Sequence, residues 1–113
     1  MILAADHDFH VNIPRLLPFR PEMKDMFVDD AVREPFAHFN ASIQTGYFIL
    51  AARAAGLAAG PLAGFDAAGI DAEFFAGTPL HSVLVVNLGK PAEQDAWFDR
   101  LPRLSYDEVV KAI

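Results

Sequence analysis

The chain has 113 residues, a formal net charge of −6, no cysteine and a hydrophobic share of 53%. That length holds one domain with a core, and that apolar share excludes a disordered chain. The acidity argues against nucleic acid or anionic membrane as a partner, and the lack of cysteine rules out disulfides, thiolate catalysis and cysteine-ligated zinc.

Ten phenylalanines are more than one small core hides, so part of the apolar surface is expected to face another subunit. The N-terminus has no basic stretch leading into an apolar one, so it does not read as a signal peptide. The longest apolar run, residues 47–65, is broken by Arg53, Gly56, Gly60 and Pro61 and does not read as a membrane span. The expected setting is the cytoplasm.

In chain order, Ile2-Leu3-Ala4-Ala5 reads as a short buried strand. Residues 6–21 read as a loop, because Pro14, Pro18 and Pro21 prevent a long helix. From Pro35 onward, Phe36, Phe39, Ile43, Tyr47, Leu50, Ala54 and Leu57 recur at three- and four-residue spacing, one face of a helix roughly 30 Å long. Pro35 suits its first turn and Gly56 a left-handed cap at its end. The back face, with Phe48, Ile49, Ala51 and Ala52, is apolar too, so the later half of the helix is expected to be buried on nearly all sides.

Gly60-Pro61-Leu62-Ala63-Gly64-Phe65-Asp66 then reads as a glycine-proline turn that leaves small residues and bare amides at its tip. Residues 66–75 read as a short helix with Asp66 as N-cap and Ile70, Phe74 and Phe75 pointing inward. Ser82-Val83-Leu84-Val85-Val86-Asn87-Leu88 is β-branched without alternation, hence a strand covered on both faces and ended by Gly89-Lys90-Pro91. A linker follows, and Ser105 with Glu108 three residues on forms a capping-box pattern opening a terminal helix. Two strands, both central in character, need more neighbours than the chain offers. The sheet is therefore expected to be completed by another chain, most simply a second copy.

Asp6-His7-Asp8-Phe9-His10 has metal-ligand character, with His38 and His81 as the remaining imidazoles, but a solvated loop explains it more simply. Ser42, Ser82 and Ser105 lie in no nucleophile elbow. Gly56, Gly60 and Gly64 match neither the dinucleotide fingerprint nor the P-loop. Lys90, Arg100 and Arg103 form a small positive cluster suited to a phosphate, or simply to surface pairs with Asp99 or Glu108.

Taken together, Asn40-Ala41-Ser42-Ile43-Gln44, Ala51-Ala52-Arg53-Ala54-Ala55-Gly56-Leu57 and Gly60-Pro61-Leu62-Ala63-Gly64-Phe65-Asp66 resemble the nitroreductase family. Val85-Val86-Asn87-Leu88-Gly89 and Arg100-Leu101-Pro102-Arg103-Leu104-Ser105-Tyr106-Asp107-Glu108 are similar to the branch containing malonic semialdehyde reductase (3-hydroxypropanoate dehydrogenase). The resemblance implies an α+β homodimeric flavoprotein with FMN at the subunit interface, NAD(P)H as reductant and a small aldehyde or a nitro- or quinone-type acceptor. It places Pro61, Leu62, Ala63 and Gly64 along the flavin, with the Gly64 amide near its N5 position, and Arg100, assisted by Arg103 or Lys90, on the FMN phosphate. Ala63 stands where many relatives have glutamate. The resemblance also implies a further N-terminal half in family members, so this chain reads as one partial domain over residues 1–113. Three forms fit: a dimer retaining an FMN site, a non-catalytic binding or structural remnant, or one half of a split enzyme whose partner chain supplies the rest.

Overall fold

Val83-Leu84-Val85-Val86 forms the middle of a three-stranded antiparallel sheet in the computed structural model, which describes residues 1–92 and 99–112. Strand β3 (Leu80–Gly89) lies between β1 (Ile2–Asp6) and β2 (Ala58–Leu62). Ile2 faces Val85 and Asp6 faces Leu80 across one pair, while Ala58 faces Gly89 and Leu62 faces Val85 across the other. Among the described residues β3 alone has two strand partners; β1, expected to be central with neighbours supplied by another chain, has one within this chain.

β2 is a strand that the sequence reading absorbed into the glycine-proline turn. Proline removes a ladder donor and is therefore confined to edge strands. Pro61 sits on such an edge, opposite Val86, so Gly60, Pro61 and Leu62 pair with β3 and the turn shortens to Ala63, Gly64 and Phe65.

Between β1 and the long helix runs an excursion built of short pieces: a 3-10 turn (Phe9–Asn12), helix α1 (Ile13–Leu16) and a second 3-10 turn (Pro21–Phe27). Three rings hold it down. Phe27 lies 4.9 Å from Phe9 and 4.8 Å from Phe36, and Phe9 stacks on Phe36 at 5.7 Å.

Helix α2 runs Asp30–Ala54, starting before the expected Pro35. The stronger start signal is Asp29, whose carboxylate accepts the Ala31 N–H at 2.9 Å. Arg33 reinforces that turn by donating to the carbonyls of Phe27 and Val28 at 3.0 and 3.2 Å. Pro35 is accommodated inside the helix. The C-terminal end is as expected: Gly56 has φ 81°, its N–H reaches the Arg53 carbonyl, and Leu57 N–H reaches that of Ala52, both at 3.0 Å. This double closure needs a left-handed residue. Gly56→Ala is expected to cost about 1–2 kcal/mol, the penalty of that conformation for an L side chain. A urea midpoint equal to wild type would show that this helix end carries no such constraint.

α2 turns its small side toward the sheet. Ala37 and Ala52 are buried, whereas Val32, Phe36, Phe39, Ile43, Tyr47 and Leu50 stand exposed along the opposite side. The expectation of near-complete burial is thus overturned within this chain: Phe48 and Ile49 are half-buried, and Ala51 is exposed. Alanines permit close approach to the strands, and the large side chains are left facing outward.

Helix α3 (Ala67–Phe74) begins where expected, with the Asp66 carboxylate accepting the Gly69 N–H at 3.0 Å. Ile70 and Phe75 are half-buried, but Phe74 is exposed, contrary to expectation. The expected linker falls largely on residues 93–98, which lie outside the described residues. Helix α4 (Tyr106–Val109) is a single turn whose Glu108 carboxylate accepts the Ser105 N–H at 2.7 Å and hydroxyl at 2.8 Å. Among the described residues no helix is long and apolar enough to cross a membrane.

Candidate functional site

The closure at Gly56 reverses the chain from α2 into β2, and the ladder to β3 carries it to Leu62. Asp66 then restarts a helix. The short turn between them is held at both ends by elements with little freedom of their own. Ala63 and Gly64 are exposed, and among the described residues nothing accepts a hydrogen bond from their N–H groups. A Cβ built on Gly64 meets nothing within 4 Å, so this side of the turn is open space. Pro61 and Leu62 lead into it as exposed strand residues.

Arg100 and Arg103 lie on a separate, exposed stretch before α4. Arg100 makes no hydrogen bond or ion pair with the described residues, and Arg103 donates only to the carbonyls of Leu101 and Pro102, at 2.8 and 3.1 Å. Neither pairs with Asp99 or Glu108. Among the described residues no hydrogen bond joins these arginines to the turn.

A further hollow lies elsewhere. A groove of about 350 Å³ runs between β1 and α2, floored by Ala4, Ala5, Ala37 and Ala41 and edged by Asp6, Asn40 and Gln44. It continues along the same two elements beside Leu3, Thr45 and Phe48. Asn40 and Gln44 belong to a stretch that the sequence reading singled out only for its resemblance, and their position beside a groove comes from α2 packing closely on β1.

A second constellation joins two of the histidines that the sequence marked only for metal-ligand character. His7 and His81 stack with ring centroids 4.1 Å apart, His81 Nδ1 is 3.3 Å from Asp71 Oδ2, and His7 Nδ1 is 3.7 Å from Glu34 Oε1. Asp71 also accepts the Ser82 N–H at 2.8 Å. The Ser82 hydroxyl and that N–H hold its carboxyl below the ordinary range. Burial first, then the neighbouring His81, lowers His7 below the ordinary histidine value, against the opposing pull of Glu34. These groups come from four separate segments and do not converge on one point. Among the described residues no three such side chains are placed to hold a metal ion.

No family model matches the chain. Individual proteins do. The chain is 57% identical over 110 residues to a Streptomyces coelicolor protein provisionally named NADH dehydrogenase/NAD(P)H nitroreductase, covering 96% of this chain and 54% of that one. Similarly named proteins of Streptomyces griseus and Caulobacter vibrioides are 55% and 44% identical over 99% and 100% of this chain, and 57% of each of theirs. Its relatives are nitroreductases by name. The chain spans little more than half of each, so the likeness covers the turn at residues 63–65 and the arginine stretch but not the whole of any relative.

Proposed function

We propose that the chain is the turn-bearing part of an NAD(P)H-dependent oxidoreductase of the nitroreductase family, working in the cytoplasm with FMN in a site shared between chains. The likeness to provisionally named NAD(P)H nitroreductases along nearly the whole chain carries this reading. The local chemistry agrees with it. A turn with unengaged amides and an open glycine side suits the edge of a flat ring system, where donors stabilise charge that accumulates on reduction. Pro61, Leu62, Ala63 and Gly64 would lie along that ring, and Arg100 with Arg103 would hold the phosphate through their planar forks. What FMN supplies when bound is hydride chemistry between NAD(P)H and a small aldehyde, nitro or quinone acceptor.

No hydrogen bond ties the turn to the arginines among the described residues of one chain, and the outer face of α2 is apolar and largely exposed. Both observations favour a site completed by a second copy, making a homodimer. A partner chain carrying the remaining length of the relatives is the second reading, favoured by the chain matching little more than half of each.

The test is FMN titration of the purified chain, followed by quenching of flavin fluorescence. Saturable binding near one FMN per chain is expected, and Arg100→Ala is expected to weaken it roughly 10- to 100-fold, the loss of a hydrogen-bonded charge pair. Equal affinity in Arg100→Ala would remove the phosphate assignment. Absence of binding by the chain alone and by the chain mixed with the missing half of a relative would remove the flavin reading.

A further inference from the structure

We propose that the stacked pair His7 and His81 is a proton-operated clasp, which holds the start of the excursion over residues 7–28 against the head of β3 until the pair acquires a second positive charge. The inference is independent of the oxidoreductase reading. It rests on where four groups meet. His7 follows β1 directly and opens the excursion; its backbone N–H donates to the Pro79 carbonyl at 2.8 Å, and its ring lies on His81 at the start of β3. Two bonds of different kinds thus fasten one residue to the same short stretch.

The charges around the rings make the fastening depend on protonation. Each imidazole has its own carboxylate, Asp71 of α3 beside His81 and Glu34 of α2 beside His7. One positive charge on the stack is therefore compensated. Two are not compensated equally, because Glu34 is half-exposed and beyond hydrogen-bond reach at 3.7 Å, while the His7 ring is only 14% exposed and its Nδ1 is buried without a hydrogen bond. The charges of His38 and Arg33 on α2 also oppose a further proton on His7. Asp6 is not among the charges that act on His7; its carboxylate accepts the Asp8 N–H at 2.8 Å. Two imidazolium rings at 4.1 Å repel each other, screened by water only on the half-exposed His81 side.

The direction of the effect follows. His7 binds its proton less readily in the fold than in an unfolded chain. The clasp is therefore intact above the ordinary histidine range, loses stability as pH falls through that range, and has lost all of this contribution once pH is below the lowered value. Release at His7 frees the excursion at one end, leaving the ring cluster of Phe9, Phe27 and Phe36 to hold it.

The experiment is a pH titration of the full chain that follows the histidine ring carbons and the exchange protection of the His7 amide by NMR. In the wild-type chain, amide protection is expected to disappear over the same pH interval in which His7 titrates. His81→Asn is expected to raise the His7 midpoint and Glu34→Gln to lower it further, opposite shifts that a general loss of stability would not produce. Unchanged protection through the His7 titration would overturn the clasp, as would a His7 midpoint indifferent to both substitutions. Should His81→Asn fail to fold, the wild-type comparison and Glu34→Gln decide the matter alone.

Discussion

A chain carrying both Phe39→Asp and Tyr47→Asp is expected to sediment as a monomer where the wild-type chain sediments as a dimer. The reason lies in the outer face of α2. Val32, Phe36, Phe39, Ile43, Tyr47 and Leu50 succeed one another at intervals of three or four residues and all stand exposed, forming one stripe along a helix of about 37 Å. A compact monomer of this mass exposes about 6,100 Å², yet this chain exposes 8879 Å². Its radius of gyration is 18.1 Å, against about 13 Å for a compact chain of this length. Two copies would together carry an excess of roughly 5,600 Å², which reaches the top of the range that large obligate interfaces bury in total. Burying each of the two aromatic side chains stabilises by about 1.5–3 kcal/mol. In a two-fold interface both copies lose both, so the pair of substitutions removes at least about 6 kcal/mol, on the order of ten-thousandfold in dissociation constant. Unpaired buried carboxylates add to the loss. If the wild-type chain is itself monomeric at micromolar concentration and binds a hydrophobic dye strongly, a second copy is not what covers the stripe, and a partner chain supplying the rest of the relatives' length takes its place. If wild-type and doubly substituted chains behave alike, the stripe is not an interface at all.

The same helix shows how far the residues alone could be read. Its existence, its apolar stripe and its glycine closure follow from short-range rules: spacing for the stripe, a left-handed φ for Gly56. So do the Asp66 cap and the strand, read over residues 82–88 and found over Leu80–Gly89, while the α+β class comes from the family resemblance. Which side of the helix meets the sheet does not follow, because periodicity marks an apolar face without saying what covers it. Large side chains suggested the core, but the sheet is met by alanines. β2 was hidden for a different reason. Gly60 and Pro61 are turn residues by local preference, and only the ladder to Asn87 and Val86 makes them strand. Of the candidate site, the turn was visible as a cluster of small residues and the arginines as charge in an acidic chain. The stacking of His7 on His81 could not be seen, because their meeting depends on β1 and β3 pairing in one register.

The other large effect expected is at Phe27, which no periodicity marks because it lies in a 3-10 turn. Phe27→Ala is expected to cost about 3–5 kcal/mol, the range for emptying a buried aromatic site, while Phe19→Ala in the same excursion is expected to stay within about 0.5 kcal/mol. The two residues share composition and neighbourhood but not environment: Phe27 is 7% exposed and Phe19 76%. Phe27 touches Phe9 on one side and Phe36 of α2 on the other, so its ring ties the excursion to the long helix. Its carbonyl also accepts the Arg33 guanidinium at 3.0 Å, which links the same residue to the first turn of α2. Total stabilities of single domains run only about 5–15 kcal/mol, and the buried hydrophobic set among the described residues is short: Ala5, Ile13, Phe27, Ala37, Ala52 and Val86. Phe27 is the largest of these, so its loss falls on a core with little to redistribute. Hydrogen exchange of residues 7–28, read beside urea midpoints for both variants, separates a local release from a global one. Faster exchange confined to the excursion in Phe27→Ala places the ring cluster as its main anchor. Equal midpoints and equal exchange in the two variants would mean that burial of Phe27 contributes nothing that exposed Phe19 does not.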